Sequence, residues 1–301
     1  MPAIIECIPN FSEGRCPEIL DALRDTAQGI PGVQLWDFSA DVSHNRSVYT
    51  LAGNPSGIAE AAFRMCQTAA GLIDLSRHSG EHPRMGATDV IPFVPVRGVS
   101  MEECVEISRR VARRIGEELG IPCLLYEESA TAPHRKNLAD VRRGGFEGLA
   151  KKLEEEGWAP DFGPHYPHPT AGATAIGARG ILVAFNINLN TPDIAIARDI
   201  ARTVRASNGG FACCKAIGVL LEDRGIAQVS MNFTNYQITP LWQVFDAVRT
   251  EAEKRGAGIL SSELIGLAPA QAFADCAAHY WQLENYDAKT QVLESHLEGL
   301  L

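Results

Sequence analysis

Residues 77–86 concentrate groups that can move protons and bind anions. The segment Arg77–Gly86 contains two histidines, one glutamate and two arginines. An imidazole changes charge near neutral pH, and a neighbouring carboxylate can orient it. His82 lies between Glu81 and Arg84, and the guanidinium of Arg84 could bind an anion. The residues alone therefore leave two interpretations open for His82: a proton shuttle, or an ordinary histidine of a loop.

The same segment contains the string H-x-x-E-H, which is the signature of inverted zinc peptidases. That motif needs a helix, because both histidines must lie on one helical face to reach one metal ion. Gly80 lies between His78 and His82, and Pro83 follows directly, so helical geometry is disfavoured there. We therefore expect no metal.

Three further segments could contribute to a site. Pro9–Gly14 follows the first predicted strand, where it could present Asn10 to a ligand or form a helix-capping turn. Ser43–Arg46 joins two predicted strands, and Arg46 could bind a carboxylate or be a solvated charge of a turn. Gly172–Arg179 has the glycine spacing of a phosphate loop but lacks its Lys-Ser/Thr ending. Its glycines could let the backbone approach a ligand, or they could belong to a flexible connection.

Hydrophobic periodicity places these segments between regular elements. Apolar runs and helical spacing predict the order β-α-β-β-α-β for residues 3–96, then a helix at Ser100–Leu119 with a Ser100/Glu103 capping box. The same order recurs from Ile181 to Leu267. We therefore predict an α+β protein of two split βαβ units, residues 1–178 and 179–301. Each unit should have an antiparallel sheet with helices on one face, and a groove should lie between the units.

Residues 127–180 are predicted to be a long connection. The basic residues from position 135 to position 152 could meet an anionic tail or form a solvated face; they are Arg135, Lys136, Arg142, Arg143, Lys151 and Lys152.

Composition narrows the class of protein. The 301 residues carry a net charge of −10, which argues against a nucleic-acid partner because such binding depends on clustered cations. No apolar run approaches the roughly 18 residues that cross a bilayer, and no signal peptide is recognisable. The eight cysteines lack a CxxC pair and are expected to be reduced. We expect a cytoplasmic protein without a membrane partner.

Seven motifs, in order along most of the chain, closely resemble the glutamate formiminotransferase family. They are Glu6–Gly14, Asn45–Tyr49, Arg77–Gly86, Pro92–Val99, Trp158–Pro164, Gly172–Ala175 and Ala184–Leu189. The chain looks like a free-standing form of the transferase part of formiminotransferase-cyclodeaminase. The resemblance implies two ferredoxin-like subdomains with a folate-binding groove or tunnel between them.

The resemblance also implies a reaction and a set of site residues. The family moves the formimino group of N-formimino-L-glutamate to N5 of tetrahydrofolate in histidine degradation, so tetrahydrofolate is expected as co-substrate. Its catalytic histidine corresponds to His82. Its folate-binding stretch corresponds to Gly163, Pro164, His165, Tyr166, Pro167, His168, Pro169, Thr170, Ala171 and Gly172. We expect substrate contacts from Asn10, Asp37, Asn45, Arg46, Glu81 and Arg84.

Partners and alternatives follow from the same resemblance. We expect a homodimer that passes its product to a separate cyclodeaminase, and a folate that carries one or several glutamates. The sequence has Ser39 where the family pattern has an acidic residue, and His165–Pro169 also departs from it. Two alternatives therefore stay open: a transferase that uses 5-formyltetrahydrofolate and glutamate, and a folate-binding protein without catalysis.

Overall fold

A computed structural model describes residues 2–80, 83–284, 286–287 and 291. The chain divides into two compact units, Met1–Arg179 and Gly180–Leu301. Each unit combines a β-sheet with helices, so the predicted α+β class is confirmed. Within these described ranges, no helix is both long and apolar enough to cross a membrane.

The first unit has a seven-stranded sheet and five described α-helices. The strands are β1 (Ile4–Cys7), β2 (Asn10–Phe11), β3 (Val33–Asp41), β4 (Arg46–Gly53), β5 (Thr88–Arg97), β6 (Cys123–Glu127) and β7 (Thr174–Ala178). The helices are α1 (Pro17–Gln28), α2 (Pro55–Leu72), α3 (Met101–Glu118), α4 (Leu138–Val141) and α5 (Gly145–Glu154), with a 3-10 turn at Pro133–Arg135.

The sheet of this unit is mixed, and the prediction of an antiparallel sheet was wrong for it. Strands β1 and β2 follow each other end to end between β4 and β5, and both pair antiparallel with these two neighbours. Strand β3 pairs antiparallel with the other edge of β4. Beyond β5 the sheet continues with β7 and then β6, both parallel. The helical connection through α3 makes this possible, because parallel neighbours need a long crossover.

Helices α1, α2 and α3 pack on one face of the sheet around the main core. In α3 the buried residues recur every three or four positions, as Cys104, Ile107, Val111 and Ile115. Its N-terminus has the predicted capping box: Glu103 N donates to Ser100 Oγ at 3.2 Å, and Ser100 N donates to Glu103 Oε2 at 2.7 Å. The amphipathic pattern and the cap explain why this helix could be predicted.

Strand β7 replaces the predicted loop around Gly172. A Cβ at Gly172 would lie 2.2 Å from Met85 O, and one at Gly177 would lie 2.3 Å from Tyr126 O. The glycines therefore let the backbone approach other segments of the protein, and residues 174–178 are a strand, not a flexible connection. A close approach of this backbone to a ligand stays a prediction. Apolar residues on both faces of β7 hid the period-2 signal of a strand.

Helices α4 and α5 cover the opposite face of the sheet at its β5–β7–β6 end. Val141, Leu149 and Leu153 pack there against Leu124 and Tyr126. Residues 127–180 are therefore structured, and the prediction of helices on only one face was wrong for this unit. The helices had too few residues to give a clear period in the sequence.

Two of the six basic residues from position 135 to position 152, Arg135 and Lys152, are buried with partners inside the protein. Arg135 pairs with Asp161 at 2.6 Å. Lys152 Nζ donates to three carbonyls, Asp140 O and Val141 O at 2.6 Å and Arg143 O at 3.2 Å. Burial lowers the pKa of Lys152 to about 8. Neither side chain belongs to a solvated face or is placed to meet an anionic tail.

The second unit has one four-stranded antiparallel sheet. Its strands are β8 (Val183–Leu189), β9 (Cys214–Leu221), β10 (Ile226–Phe233) and β11 (Ile259–Ile265). Its helices are α6 (Ile194–Val204), α7 (Leu241–Glu253) and α8 (Ala270–Trp281), with a 3-10 turn at Ala206–Asn208. The strand order β9-β10-β8-β11 repeats the order β3-β4-β1-β5 of the first unit.

Helix α8 was not predicted from the sequence. Its residues are mostly small or apolar, and Pro269 precedes its first turn. It packs against α7, where the ring of His279 stacks on Trp242 with centroids 3.8 Å apart. A helix with apolar residues around most of its surface gives a weak periodic signal.

The contacts of Lys152 generate a stability prediction. Lys152→Met should lower the free energy of unfolding by about 2 kcal/mol or more, because carbonyls that lose their donor in a buried site cost ~1–3 kcal/mol each. Urea unfolding measures the change. Lys151→Met alters an exposed neighbour and should stay within ~0.5 kcal/mol of the wild type. Equal midpoints for the two variants would contradict the assigned role of Lys152.

Candidate functional site

The side chain of Asp89 is the centre of a charged cluster in the first unit. It is fully buried, and its carboxylate accepts a hydrogen bond from Met85 N at 2.9 Å. Arg46 Nη1 donates to it at 3.0 Å, and Arg142 Nη2 lies 2.5 Å from it. Asp89 lies at a register shift, where Asn10 pairs with Val90 and Phe11 pairs with Thr88. Such bulges redirect side chains next to functional sites.

Arg46 connects this cluster to the loop after the first strand. Its Nη2 donates to Asn10 Oδ1, while Asn10 Nδ2 donates to Ile8 O at 2.7 Å. Burial lowers the pKa of Arg46 to about 10, and the charge of Arg142 lowers it further while Asp89 opposes the shift. At neutral pH the guanidinium of Arg46 therefore remains charged.

Asn45 joins three loops at the same end of the sheet. It has a positive φ of 48°, a conformation that asparagine tolerates better than most residues. Its Oδ1 accepts from Gly14 N at 2.9 Å, and its Nδ2 donates to Ser79 O at 3.0 Å. A Cβ at Gly80 would lie 2.4 Å from His44 O, so this position needs a glycine. The turn between β3 and β4 therefore holds residues 79 and 80 in place.

His78 has hydrogen-bond partners at both ring nitrogens. Arg84 Nε donates to His78 Nδ1 at 3.1 Å, and His78 Nε2 lies 3.0 Å from Asn45 O. Since Nδ1 accepts, the proton must be on Nε2, which donates to that carbonyl. Burial lowers the pKa of His78, and the imidazole is accordingly neutral.

Arg84 forms a bidentate pair with Glu147 on α5. The nitrogen–oxygen distances are 3.1 and 2.8 Å, and Arg84 Nη2 also donates to His78 O at 3.2 Å. Hydrogen bonds from Arg84 lower the pKa of Glu147, which keeps this carboxylate charged. A substrate carboxylate at Arg84 would have to compete with Glu147.

Glu81 and His82 lie outside the described residues. Their neighbours are held on both sides, residues 79 and 80 by Asn45 and His44, and Met85 by Asp89. Across the part of the chain that is described, no group of three His, Cys, Asp or Glu side chains is placed to hold a metal ion.

The stretch Gly163–Gly172 lies against both flanks of the His82 loop. Thr170 O accepts from Leu75 N at 2.9 Å, and Ala171 O accepts from Ala87 N at 3.0 Å. Within the stretch, His168 and Gly172 exchange two backbone hydrogen bonds of 2.9 Å. His168 Nδ1 accepts from Ala171 N at 3.0 Å, and burial lowers its pKa. The structure therefore brings the expected folate-binding stretch next to the expected catalytic loop.

Of the expected substrate contacts that the structure describes, Asp37 stands apart from this cluster. It lies opposite Thr50 in the β3–β4 pairing, four positions before the end of β3. Ser39 is exposed, and Asp41 accepts from His44 N at 2.7 Å in the turn. None of the described hydrogen bonds joins Asp37 to Asn10, Arg46 or Asp89.

The motif Ala184–Leu189 lies in β8 of the second unit. Its Ile187 and Leu189 pack in the core, and the buried Asn188 points away from it into a polar network. Asn188 Nδ2 donates to Glu263 Oε1 at 2.8 Å, and Gln228 Nε2 donates to Asn188 Oδ1 at 2.8 Å. Hydrogen bonds from Asn188 and Arg224 lower the pKa of Glu263.

Sequence reasoning missed two members of the charged clusters, Asp89 and Glu147, and it named Arg142 only as one of six basic residues. Asp89 had a usable signal, because it is a lone carboxylate at the start of an apolar strand and such a charge needs a partner. Glu147 had none, and nothing in the sequence distinguished Arg142 from the basic residues around it, since only the fold selects them.

Comparisons with known proteins identify the family of this chain. The formiminotransferase domain, N-terminal subdomain, matches residues 4–179, and the formiminotransferase domain matches residues 184–296. A glutamate formimidoyltransferase of Streptococcus pyogenes serotype M1 is 56% identical over 299 residues, which are 99% of this chain and 100% of that protein. One of Thermoplasma acidophilum is 44% identical over 298 residues, 98% of each chain.

A longer relative matches over part of its length. The formimidoyltransferase-cyclodeaminase of Mus musculus is 44% identical over 289 residues, 94% of this chain and 53% of that protein. The two domain matches together span most of the chain, and two relatives match from end to end. The chain belongs to the formiminotransferase domain family.

Proposed function

We propose that this protein is a glutamate formimidoyltransferase that moves the formimino group of N-formimino-L-glutamate to N5 of tetrahydrofolate. His82 is the general acid and base of the transfer. The full-length similarity to two proteins named glutamate formimidoyltransferase supports the activity. The structural observation that carries the proposal is the backbone pairing of Thr170 and Ala171 with Leu75 and Ala87, on both flanks of the His82 loop.

The two histidines of the loop have different capacities for proton transfer. His78 is neutral, and both its ring nitrogens are occupied by Arg84 and by Asn45 O. It cannot take up a proton without losing the bond from Arg84. This leaves His82 as the proton shuttle of the loop and gives His78 the task of holding Arg84 and residue 45 together.

The reaction needs two proton transfers at nitrogen. N5 attacks the amidine carbon, and the new N5–C bond gives a tetrahedral intermediate with a positive charge on N5. His82 takes the N5 proton and gives it to the glutamate nitrogen, after which the C–N bond to glutamate breaks. The products are 5-formiminotetrahydrofolate and L-glutamate. A near-neutral pKa suits both transfers, and holding two substrates side by side supplies proximity.

The stretch Gly163–Gly172 binds the folate in this proposal. Tyr166 is 67% exposed and His168 carries its proton on Nε2, because Nδ1 accepts from Ala171 N. An exposed aromatic ring and an N–H donor are groups that can stack on a pterin and bond to its edge. Asn10, Asn45, Arg46 and Arg84 contribute to the donor side, where Arg84 must first part from Glu147.

The family resemblance supports three further parts of the proposal: a place in histidine degradation, a homodimer, and a separate cyclodeaminase that takes the product. The repeated order of predicted elements supports two subdomains at 1–178 and 179–301. The cytoplasmic location stays a prediction from the sequence. The groove between the units and the use of polyglutamylated folate stay predictions. So do substrate contacts of Asp37 and Glu81.

The activity can be tested with two substrate pairs. Formiminoglutamate and tetrahydrofolate should yield a product that closes in acid to methenyltetrahydrofolate with release of ammonia. 5-Formyltetrahydrofolate and glutamate should react with a kcat/KM at least about tenfold lower. A higher kcat/KM for the formyl pair would replace the proposal by the formyltransferase. Tight tetrahydrofolate binding without either reaction would favour a binding protein.

The role of His82 can be separated from that of His78. His82→Ala should lower kcat by about 10²–10⁴-fold, the usual contribution of a general acid and base, with little change in tetrahydrofolate affinity. The change of kcat with pH near neutrality, which the proposal assigns to the ionisation of His82, should also disappear in this variant. His78→Gln is the matched control: it should reduce stability and kcat modestly and keep that change of kcat with pH. A change of kcat with pH near neutrality that disappears in His78→Gln and persists in His82→Ala would contradict the assignment.

A further inference from the structure

Among the described residues, the guanidinium groups of Arg46 and Arg142 share the carboxylate of Asp89. Arg46 Nη1 is 3.0 Å and Arg142 Nη2 is 2.5 Å from the same oxygen, Oδ2. The side chains of Arg46 and Arg142 are only 13% and 15% exposed, so water screens their mutual repulsion poorly. A second carboxylate beside the two guanidiniums would relieve that repulsion.

Arg142 has hydrogen-bonding capacity left over. Its buried Nε donates to no acceptor among the described residues, and its Nη2 contacts Asp89 without hydrogen-bond alignment. A buried donor without an acceptor costs about 1–3 kcal/mol and calls for an explanation such as a ligand. The planar fork of a guanidinium fits a carboxylate, which accepts two parallel N–H bonds.

The backbone on both sides of Arg142 is fixed before any ligand arrives. Lys152 Nζ holds the carbonyls of Val141 and Arg143 at 2.6 and 3.2 Å, and it lies 3.9 Å from the ring centroid of Trp158. A side chain on such a rigid turn loses little conformational entropy when it binds.

Two other arginines of this unit, Arg84 and Arg135, already form ion pairs with carboxylates of their own. Arg84 forms its bidentate pair with Glu147, and Arg135 pairs with the buried Asp161. Arg142 instead shares its counter-ion with Arg46, whose second nitrogen bonds to Asn10. The pairing pattern therefore favours Arg142 over Arg84 as an anion-binding residue.

The Asp89 cluster adjoins the segments to which the proposed function assigns the chemistry. Asp89 holds Met85 N, and the following Gly86 pairs with Gly172, the last residue of the proposed folate-binding stretch. N-formimino-L-glutamate carries two carboxylates, and the proposed function assigns Arg46 to the donor side. Tetrahydrofolate also carries carboxylates on its glutamyl tail, so the assignment to the donor follows from Arg46 and is tested below by comparing the KM values of the two substrates.

We infer that Arg142, together with Arg46, binds a carboxylate of the formiminoglutamate donor, with Asp89 as the shared counter-ion that holds both guanidiniums in place. The inference rests on the proposed function. It makes Arg142 a determinant of donor specificity.

The test compares Arg142→Gln with the wild type in steady-state kinetics. The KM for formiminoglutamate should rise by about 10–100-fold, the range for one charge-assisted pair, while the KM for tetrahydrofolate changes less than about threefold. Arg143→Gln is the matched control, because Arg143 is exposed and pairs only with the neighbouring Asp140 among its described contacts. It should keep the wild-type values.

Amide analogues of the donor separate carboxylate binding by Arg142 from a merely structural role. A structural role would leave the preference for the acid over its amides unchanged. The wild type should use the α-amide or the γ-amide of formiminoglutamate at least about tenfold less well than the acid. Arg142→Gln should reduce that ratio to near one for one of the two amides. Arg142→Lys, which keeps the charge without the fork, should show an intermediate ratio and serves if the glutamine variant does not fold.

The outcomes separate this inference from the proposed function. A wild type without transfer activity overturns the function. An active wild type whose Arg142 variants keep the donor KM and both amide ratios overturns only the inference. The inference is equally overturned if Arg84→Gln, and not Arg142→Gln, abolishes the discrimination against an amide.

Discussion

Asp89 carries a negative charge where water does not reach, and an unpaired charge there would cost several kcal/mol. Its partners among the described residues come from three separate parts of the chain: Arg46 at the start of β4, Met85 in the segment before β5, and Arg142 after α4. Each must be in place for the carboxylate to be compensated. The bulge directs Asp89 inward, and the contacts of Asp89 thus connect the sheet, the segment that contains Met85, and the helices α4 and α5.

Close backbone packing completes this arrangement. A Cβ at Gly86 would lie 2.0 Å from Ala173 O, and one at Gly172 would lie 2.2 Å from Met85 O. Only glycine allows these two segments to approach so closely, and the pairing of Gly86 with Gly172 follows. On the other side, Lys152 fixes the turn that carries Arg142. Hydrogen bonds from the backbone and from one buried ammonium therefore set the positions of the side chains that could contact a substrate.

Local patterns in the sequence predicted much of the fold, while the polar clusters depended on tertiary contacts. The capping box and the regular burial of α3 were predictable because both are properties of adjacent residues. Strand β7 and helix α8 were missed because their apolar residues are not confined to one face. The burial of Lys152 was not predictable, since it depends on three carbonyls that only the folded turn brings together. The segment around His82 was identified from residue types. Asp89 was recognised only in the structure, and only the structure distinguished Arg142 from the basic residues around it.

The charge balance of the Asp89 cluster has a consequence for the proposed transfer. Arg46 and Arg142 bring two positive charges and Asp89 brings one negative charge. A net positive charge beside the glutamate nitrogen would oppose its protonation, which the reaction needs before the C–N bond can break. With a donor carboxylate bound as inferred, two negative charges balance the two guanidiniums. The donor carboxylate would then make the leaving nitrogen of the same molecule easier to protonate. With the charge of Asp89 included, the net charge of the cluster and the bound carboxylate would be zero.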